Sequence, residues 1–185
     1  TRKGPAKRRL HEADPENVKT KRTPMPDKRP EPLVSVVIVN YNGRNFLPDC
    51  LGALMKQTCS SFEVILIDNA SCDGSVVFVR EQFPLVKVSV QQSNLGFAGG
   101  SNAGIREAHG EYILTLNNDT RVSPDFIEEL VLPMERDPRV GMCGSKMVFP
   151  DGRINSTGIC ISRSGAAWDR GGSEPDRGQY DAAAE

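Results

Sequence analysis

The stretch Asn94–Thr120, NLGFAGGSNAGIREAHGEYILTLNNDT, decides the fold. It opens with a glycine-rich turn at Gly96, Gly99 and Gly100. A helical pattern follows through Ala103, Ile105 and Ala108, and His109-Gly110 stops it. The apolar run Tyr112–Leu116 then breaks off into Asn117-Asn118-Asp119. This spacing reads as loop, helix, strand, and a polar cluster on the strand's carboxyl end. In an open α/β sheet that end is where ligands bind.

Upstream, the same alternation appears twice more. Leu33–Val39 is a short, β-branched, nearly continuous apolar run, the pattern of a strand buried on both faces of a parallel sheet. It ends in Asn40-Tyr41-Asn42-Gly43. Phe46, Leu47, Cys50, Leu51, Leu54 and Met55 recur at helical spacing, predicting an amphipathic helix over Arg44–Gln57. Phe62–Ile67 is a second buried strand, ending in Asp68-Asn69. A turn at residues 70–74 leads into a helix to about Gln82, capped by Asp73 or Ser75. Val86–Val90 is a third strand. Downstream, Ser123 at the N-cap and Pro124 at N1 predict a helix to about Arg136. Val140–Phe149 reads as a fifth strand, Pro150-Asp151-Gly152 as a tight turn and Ile154–Ser162 as a further strand. After Arg163 the chain reads as a loop on the site's side of the sheet, or as an unsupported end. The expected fold is therefore α/β, with a mainly parallel central sheet flanked by helices and right-handed crossovers.

Composition sets bounds. The chain has 185 residues and a net charge of −1, unevenly spread. Residues 1–32 carry 10 Lys+Arg against 5 Asp+Glu, whereas the remainder is net acidic by six. The two expected regions are a Pro-rich basic tail, 1–32, too poor in apolar residues to order itself, and a folded domain, 33–185. Such a tail can rest on an anionic membrane surface or be a solvated leader; its composition favours the leader. The acidic domain argues against nucleic acid as a partner. Cys50, Cys59, Cys72, Cys143 and Cys160 are odd in number, with no Cys-x-x-Cys pair. They read as reduced thiols of a cytoplasmic domain rather than as a zinc site or a disulfide framework. No apolar run is long enough to span a bilayer.

Three polar clusters, Asn40-Tyr41-Asn42, Asp68-Asn69 and Asn117-Asn118-Asp119, fall on one edge of a parallel sheet, beside the glycines of residues 94–104. Taken singly, each is ordinary turn chemistry; their convergence favours a binding edge. Tyr41 offers a ring to stack on a base. Asp68 offers an acceptor for a base or ribose. Bare backbone at Gly96, Gly99 and Gly100 admits a bulky ligand. Asp119 suits a divalent cation held by one carboxylate plus substrate phosphates. The first strand is followed neither by Gly-x-Gly-x-x-Gly nor by a Gly-Lys-Ser/Thr phosphate loop. His109, at a helix end, reads as structural.

The segments VSVVIVNYNGRNFLPDCL (34–51), VILIDNASCDGS (64–75) and NLGFAGGSNAGIREAHGEYILTLNNDT (94–120) resemble, in order and spacing, the nucleotide-binding half of glycosyltransferase family 2. The similarity is to its rhamnosyltransferase-like branch and covers about Leu33 to Tyr180. It implies the GT-A fold, truncated at the C-terminus, and metal-assisted, inverting transfer of a sugar from a UDP- or dTDP-linked donor to a glycan or lipid-linked acceptor. Cell-surface polysaccharide or glycolipid synthesis follows from the same resemblance; the expected location is the cytoplasm, at the inner face of the membrane where the basic tail rests on it. Asn40, Tyr41 and Asn42 would line the base pocket, Asp68 and Asn69 would meet the nucleoside, and Gly96, Gly99 and Asn102 would shape the donor pocket. Asn117, Asn118 and Asp119 would form a degenerate Asp-x-Asp, with Asp119 on Mg²⁺ or Mn²⁺. Two positions depart from the family pattern: Ser101 stands where many relatives carry Arg, and Asn117 replaces the first Asp. No acidic motif suited to a general base appears before Glu185, so the expected chain is a donor half with most of the acceptor half missing. The rival expectations are a nucleotide-sugar-binding fragment without transfer activity and, less favoured, a nucleotidyltransferase.

Overall fold

The computed structural model describes residues 32–182. The basic tail, save Pro32, therefore lies outside the described residues. Four parallel strands form the central sheet: β1 (Val34–Asn40), β2 (Phe62–Asp68), β3 (Lys87–Val90) and β4 (Tyr112–Asn117). Their order is β3-β2-β1-β4. The helices between them are α1 (Leu47–Leu54), α2 (Ser75–Gln82) and α3 (Gly96–Glu107), and α4 (Phe126–Arg136) follows β4. Among the described residues no helix is long and apolar enough to cross a membrane.

Apart from Ser35 and the terminal Asn40, the β1 run is apolar because both its faces are covered. Val34, Val36 and Ile38 join Val64, Leu66 and Leu116 in one cluster with Leu47, Cys50, Leu51 and Leu54 of α1, Val79 of α2, and Ile127 and Val131 of α4. On the other face Val37, Ile65 and Ile67 pack with Ala103 and Ala108 of the α3 segment. Strand alternation assigns odd and even positions of β1 to these two layers.

The glycines after Asn94 are not a turn, as their composition suggests, but the first turns of α3. Only Gly96 has a left-handed backbone there (φ 70°). Gly100 and Gly104 face the sheet: a Cβ on Gly100 would lie 2.7 Å from Val39 Cγ1, and one on Gly104 would overlap Val37. The absence of side chains lets the helix axis sit close over β1 and β2.

Several boundaries differ from expectation. Helix α4 starts at Phe126, and Ser123 does not cap it; the Ser123 hydroxyl donates instead to Asp125 Oδ1 (2.7 Å). The fifth strand expected over Val140–Phe149 shrinks to β5 (Met147–Val148), paired antiparallel with β6 (Ile154–Ser156) outside the main sheet. Gly141 and Gly144 have open space where a side chain would pack, and Met142 is 86% exposed, so nothing holds residues 141–146 as a strand. The strand expected over Ile154–Ser162 is broken at Gly158 (φ 128°). Its second part, β7 (Ile159–Ile161), pairs antiparallel with β8 (Ala167–Asp169), a hairpin in the segment read as a loop or loose end.

At the amino edge of the sheet Glu63 ties the chain together. It accepts from Ser35 Oγ (2.6 Å), Lys87 Nζ (2.5 Å) and the His109 backbone N–H (2.9 Å). Burial opposes its ionisation, but these donors outweigh that and bring its pKa from 4.5 to about 2. A carboxyl depressed on folding stabilises the fold above its unfolded pKa and stops doing so as pH falls through the folded one. Glu63→Gln should therefore lower unfolding free energy by about 1–3 kcal/mol at neutral pH. In urea titrations at a series of pH values, that deficit should close between about pH 4.5 and 2. For the helix–sheet contact, Gly104→Ala should cost about 1–3 kcal/mol through overpacking. Gly52→Ala on α1, where a Cβ meets nothing within 4 Å, should be neutral or stabilising in the same assay.

Candidate functional site

The order β3-β2-β1-β4 runs outward from β1 in one direction, then returns to its other side. Reversals of this kind open a crevice at the carboxyl ends, because the flanking connections leave in opposite directions. Here a cleft of about 280 Å³ lies at that edge, lined by Val39, Tyr41, Asn69, Asn94, Gly96, Phe97 and Asn118. Tyr41 is 53% exposed and Phe97 60%, giving the cleft two aromatic faces.

Beneath it, strand register does the positioning. Asn40 and Asp68 are paired neighbours on β1 and β2, and both are fully buried. Asn40 Nδ2 donates to Asp68 Oδ1 (3.0 Å) and Ser71 Oγ (3.2 Å). Asn40 Oδ1 accepts from Asn118 Nδ2 (2.9 Å), so one side chain joins the ends of β1, β2 and β4. Asp68 Oδ2 accepts the Ser71 backbone N–H (2.9 Å). Asn40 and Asp68 thus form the floor that holds the cleft's walls, not a surface open to a ligand as their place in the sequence suggests. Asn42, in a left-handed conformation (φ 50°), is exposed, and its Oδ1 accepts the Cys72 N–H (2.9 Å), latching the first loop to the second.

Asn69 differs from its neighbours. It is 1% exposed and lines the cleft. Its Nδ2 donates to the Gly96 carbonyl (3.1 Å), which orients the amide. Its Oδ1 is buried with no hydrogen-bond partner among the described residues. Buried acceptors left unpaired cost free energy, and native structures rarely hold them without reason. Ser101 Oγ is the other such atom, on α3.

The remaining expected residues are more scattered. Gly99 lies inside α3, where a Cβ would meet Leu95 Cβ at 2.8 Å, and Asn102 is an exposed helix residue; neither lines the cleft. Asn117 is exposed, and its carbonyl accepts from Cys50 Sγ (3.6 Å). Burial, with the Asp119 charge nearby, pushes the Cys50 thiol up to about 12 and keeps it from acting as a nucleophile. Asp119 is exposed and makes no hydrogen bond or ion pair among the described residues. Those residues contain no group of three His, Cys, Asp or Glu side chains able to hold a metal alone. Asp119 is therefore suited only to share a cation with oxygens brought by a ligand. Sequence reasoning missed Val39, Asn94, Phe97 and Ser71. The Asn94 contribution was legible as an Asx turn, since its Oδ1 accepts the Gly96 N–H (2.8 Å).

A family model described as Glycosyl transferase family 2 matches residues 35–159. YibD of Escherichia coli, an uncharacterized glycosyltransferase, is 31% identical over 140 residues, 68% of this chain and 40% of that protein. Among solved structures, S. aureus TarS 1–349 in complex with UDP superposes with a TM-score of 0.52 at 25% identity, over 56% of this chain and 32% of that one. The mannosyltransferase PcManGT from Pyrobaculum calidifontis, in complex with GDP-Man and Mn²⁺, superposes with a TM-score of 0.54 at 26% identity, over 65% and 38%. The chain spans half or less of the length of the curated relatives it matches.

The geometry separates two carboxylates that look alike in sequence. Asp68→Ala should strip the partners from Asn40 Nδ2 and the Ser71 N–H and lower unfolding free energy by about 1–3 kcal/mol. Asp119→Ala should leave stability within about 0.5 kcal/mol, as exposed, unpaired side chains do. Urea unfolding of the two variants side by side checks both.

Proposed function

The chain belongs to glycosyl transferase family 2, and from that premise we propose that its cleft holds the nucleoside of a nucleoside-diphosphate sugar, UDP- or dTDP-linked, in an enzyme that transfers the sugar to an acceptor hydroxyl. The observation that carries this reading is Asn69, a residue lining the cleft beside the Tyr41 ring, whose Oδ1 is buried without a hydrogen-bond partner. A buried acceptor suits the imino N–H of uracil or thymine. A base stacked on Tyr41 would supply the missing hydrogen bond once the Asn69 amide turns its Oδ1 toward the cleft.

Asn117, Asn118 and Asp119 then stand where the diphosphate leaves the nucleoside. Asp119 would hold Mg²⁺ or Mn²⁺ together with diphosphate oxygens and water. The cation's chemistry there is to offset charge on the departing nucleoside diphosphate. The protein's own part is positional. The Asn40 floor fixes Asn118, the Asn42–Cys72 latch fixes the loop bearing Tyr41, and α3 closes the far wall. In inverting transfer the acceptor oxygen attacks the anomeric carbon in line as the carbon–phosphate-oxygen bond breaks, and a carboxylate takes the acceptor's proton. The donor-side residues described here include no carboxylate suited to that step, which is assigned to the acceptor side. The acceptor proposed is a hydroxyl of a glycan or lipid-linked saccharide.

Isothermal titration of the folded chain with UDP and dTDP, with and without Mn²⁺, tests the reading. Binding strengthened by Mn²⁺ is expected, and Asp119→Ala should abolish the strengthening while leaving metal-free binding. Asn69→Leu should weaken binding about tenfold or more with or without metal, one buried hydrogen bond being worth about 1–3 kcal/mol. A folded chain indifferent to both nucleotides overturns the assignment.

A further inference from the structure

We infer that Gly43 is a positioning residue for the donor cleft, its lack of a side chain being what lets Asn118 reach Asn40. The inference rests on the proposed donor site and deepens it. Gly43 is buried at the turn after β1, outside every group named above as touching a ligand. Its backbone is not in the left-handed region, where Gly74, Gly96 and Gly152 lie, so conformation does not require glycine there. Space does. A Cβ on Gly43 would overlap Asn118 Nδ2 and lie 2.6 Å from Asn40 Oδ1, the two atoms of the 2.9 Å bond that links β4 to β1.

Those neighbours cannot easily give way. Asn40 is fully buried, and its Nδ2 is committed to Asp68 and Ser71. The Gly43 carbonyl accepts the Phe46 N–H (2.9 Å), anchoring the turn to the start of α1. The movable partner is Asn118, which lines the cleft and immediately precedes Asp119. A methyl group at position 43 would therefore push the Asn118 amide off Asn40 toward the cleft. The displaced side chain would disturb the path from nucleoside to diphosphate without removing any group that meets the ligand.

A double-mutant cycle separates this from general damage to the fold. UDP affinity in Mn²⁺ would be measured for the unsubstituted chain, Gly43→Ala, Asn118→Ala and the double variant. The side-chain amide signals of Asn40 and Asn118 would be followed by nitrogen-edited NMR. Gly43→Ala is expected to weaken UDP binding about tenfold alone but twofold or less in the Asn118→Ala background, and to shift both amide signals. Should Gly43→Ala alone fail to fold, the double variant is expected to regain stability, because the closer of the two overlaps, with Asn118 Nδ2, is gone and only the 2.6 Å approach to Asn40 Oδ1 remains. Equal losses in both backgrounds, unmoved amide signals or a double variant no more stable than Gly43→Ala alone each overturn the inference. Normal UDP binding by the unsubstituted chain with additive losses overturns the Gly43 inference alone. A folded chain that binds neither UDP nor dTDP overturns the donor-site reading, and the positioning role falls with it.

Discussion

One buried amide holds the site edge together. Asn40 sits at the carboxyl end of the central strand, where a polar side chain out of water must satisfy both its donor and its acceptor. It does so by bonding to the neighbouring strand end on each side, Asp68 and Asn118, and to the loop residue Ser71. Parallel pairing alone would leave these strand ends free to splay, since ladder bonds stop where the strands stop. The amide extends the register one layer beyond the sheet and turns three loop origins into one floor. The loops that carry Tyr41, Asn69 and Asn118 all leave from that floor.

The two edges of the sheet use polar groups for opposite ends. At the amino edge, Glu63 gathers Ser35, Lys87 and the backbone around His109, and every partner there is satisfied. Only glycine fits at position 110, because a Cβ there would lie 2.5 Å from Ser35 N, so the return from α3 to β4 is pressed against β1. At the carboxyl edge the network is satisfied below the cleft and open within it. The contrast puts a fully paired network at one end of the strands and the cleft proposed for the ligand at the other.

The layout of strands and helices was legible because burial on both faces leaves no choice of residue. A run such as Val34–Val39 has one reading, and alternation with amphipathic stretches then fixes parallel crossovers. The shared edge was legible for the same reason, since parallel strands put all their carboxyl ends together. Individual roles were not. Asn40 and Asp68 look like ligand groups in sequence because turn ends are usually exposed; only the register shows that they face each other. Gly99, Gly100 and Gly104 look like a loop because helix propensity disfavours glycine. Tertiary packing overrides that preference when a helix must lie close over valine side chains. The β8 strand and its pairing with β7 escaped notice because β8 is three residues long and exposed throughout, leaving no apolar periodicity to read.

The orphaned oxygen of Asn69 sets stability against purpose at a single atom. A substitution that gave it an internal partner, or replaced it with a hydrocarbon that packs as well, would make the empty protein more robust. In the proposed donor site, the same change would take away the acceptor offered to a base. On that proposal, a sturdier fold at this position would be gained at the ligand's expense, and the free energy missing from the unliganded state would be returned when a nucleoside completed the bond.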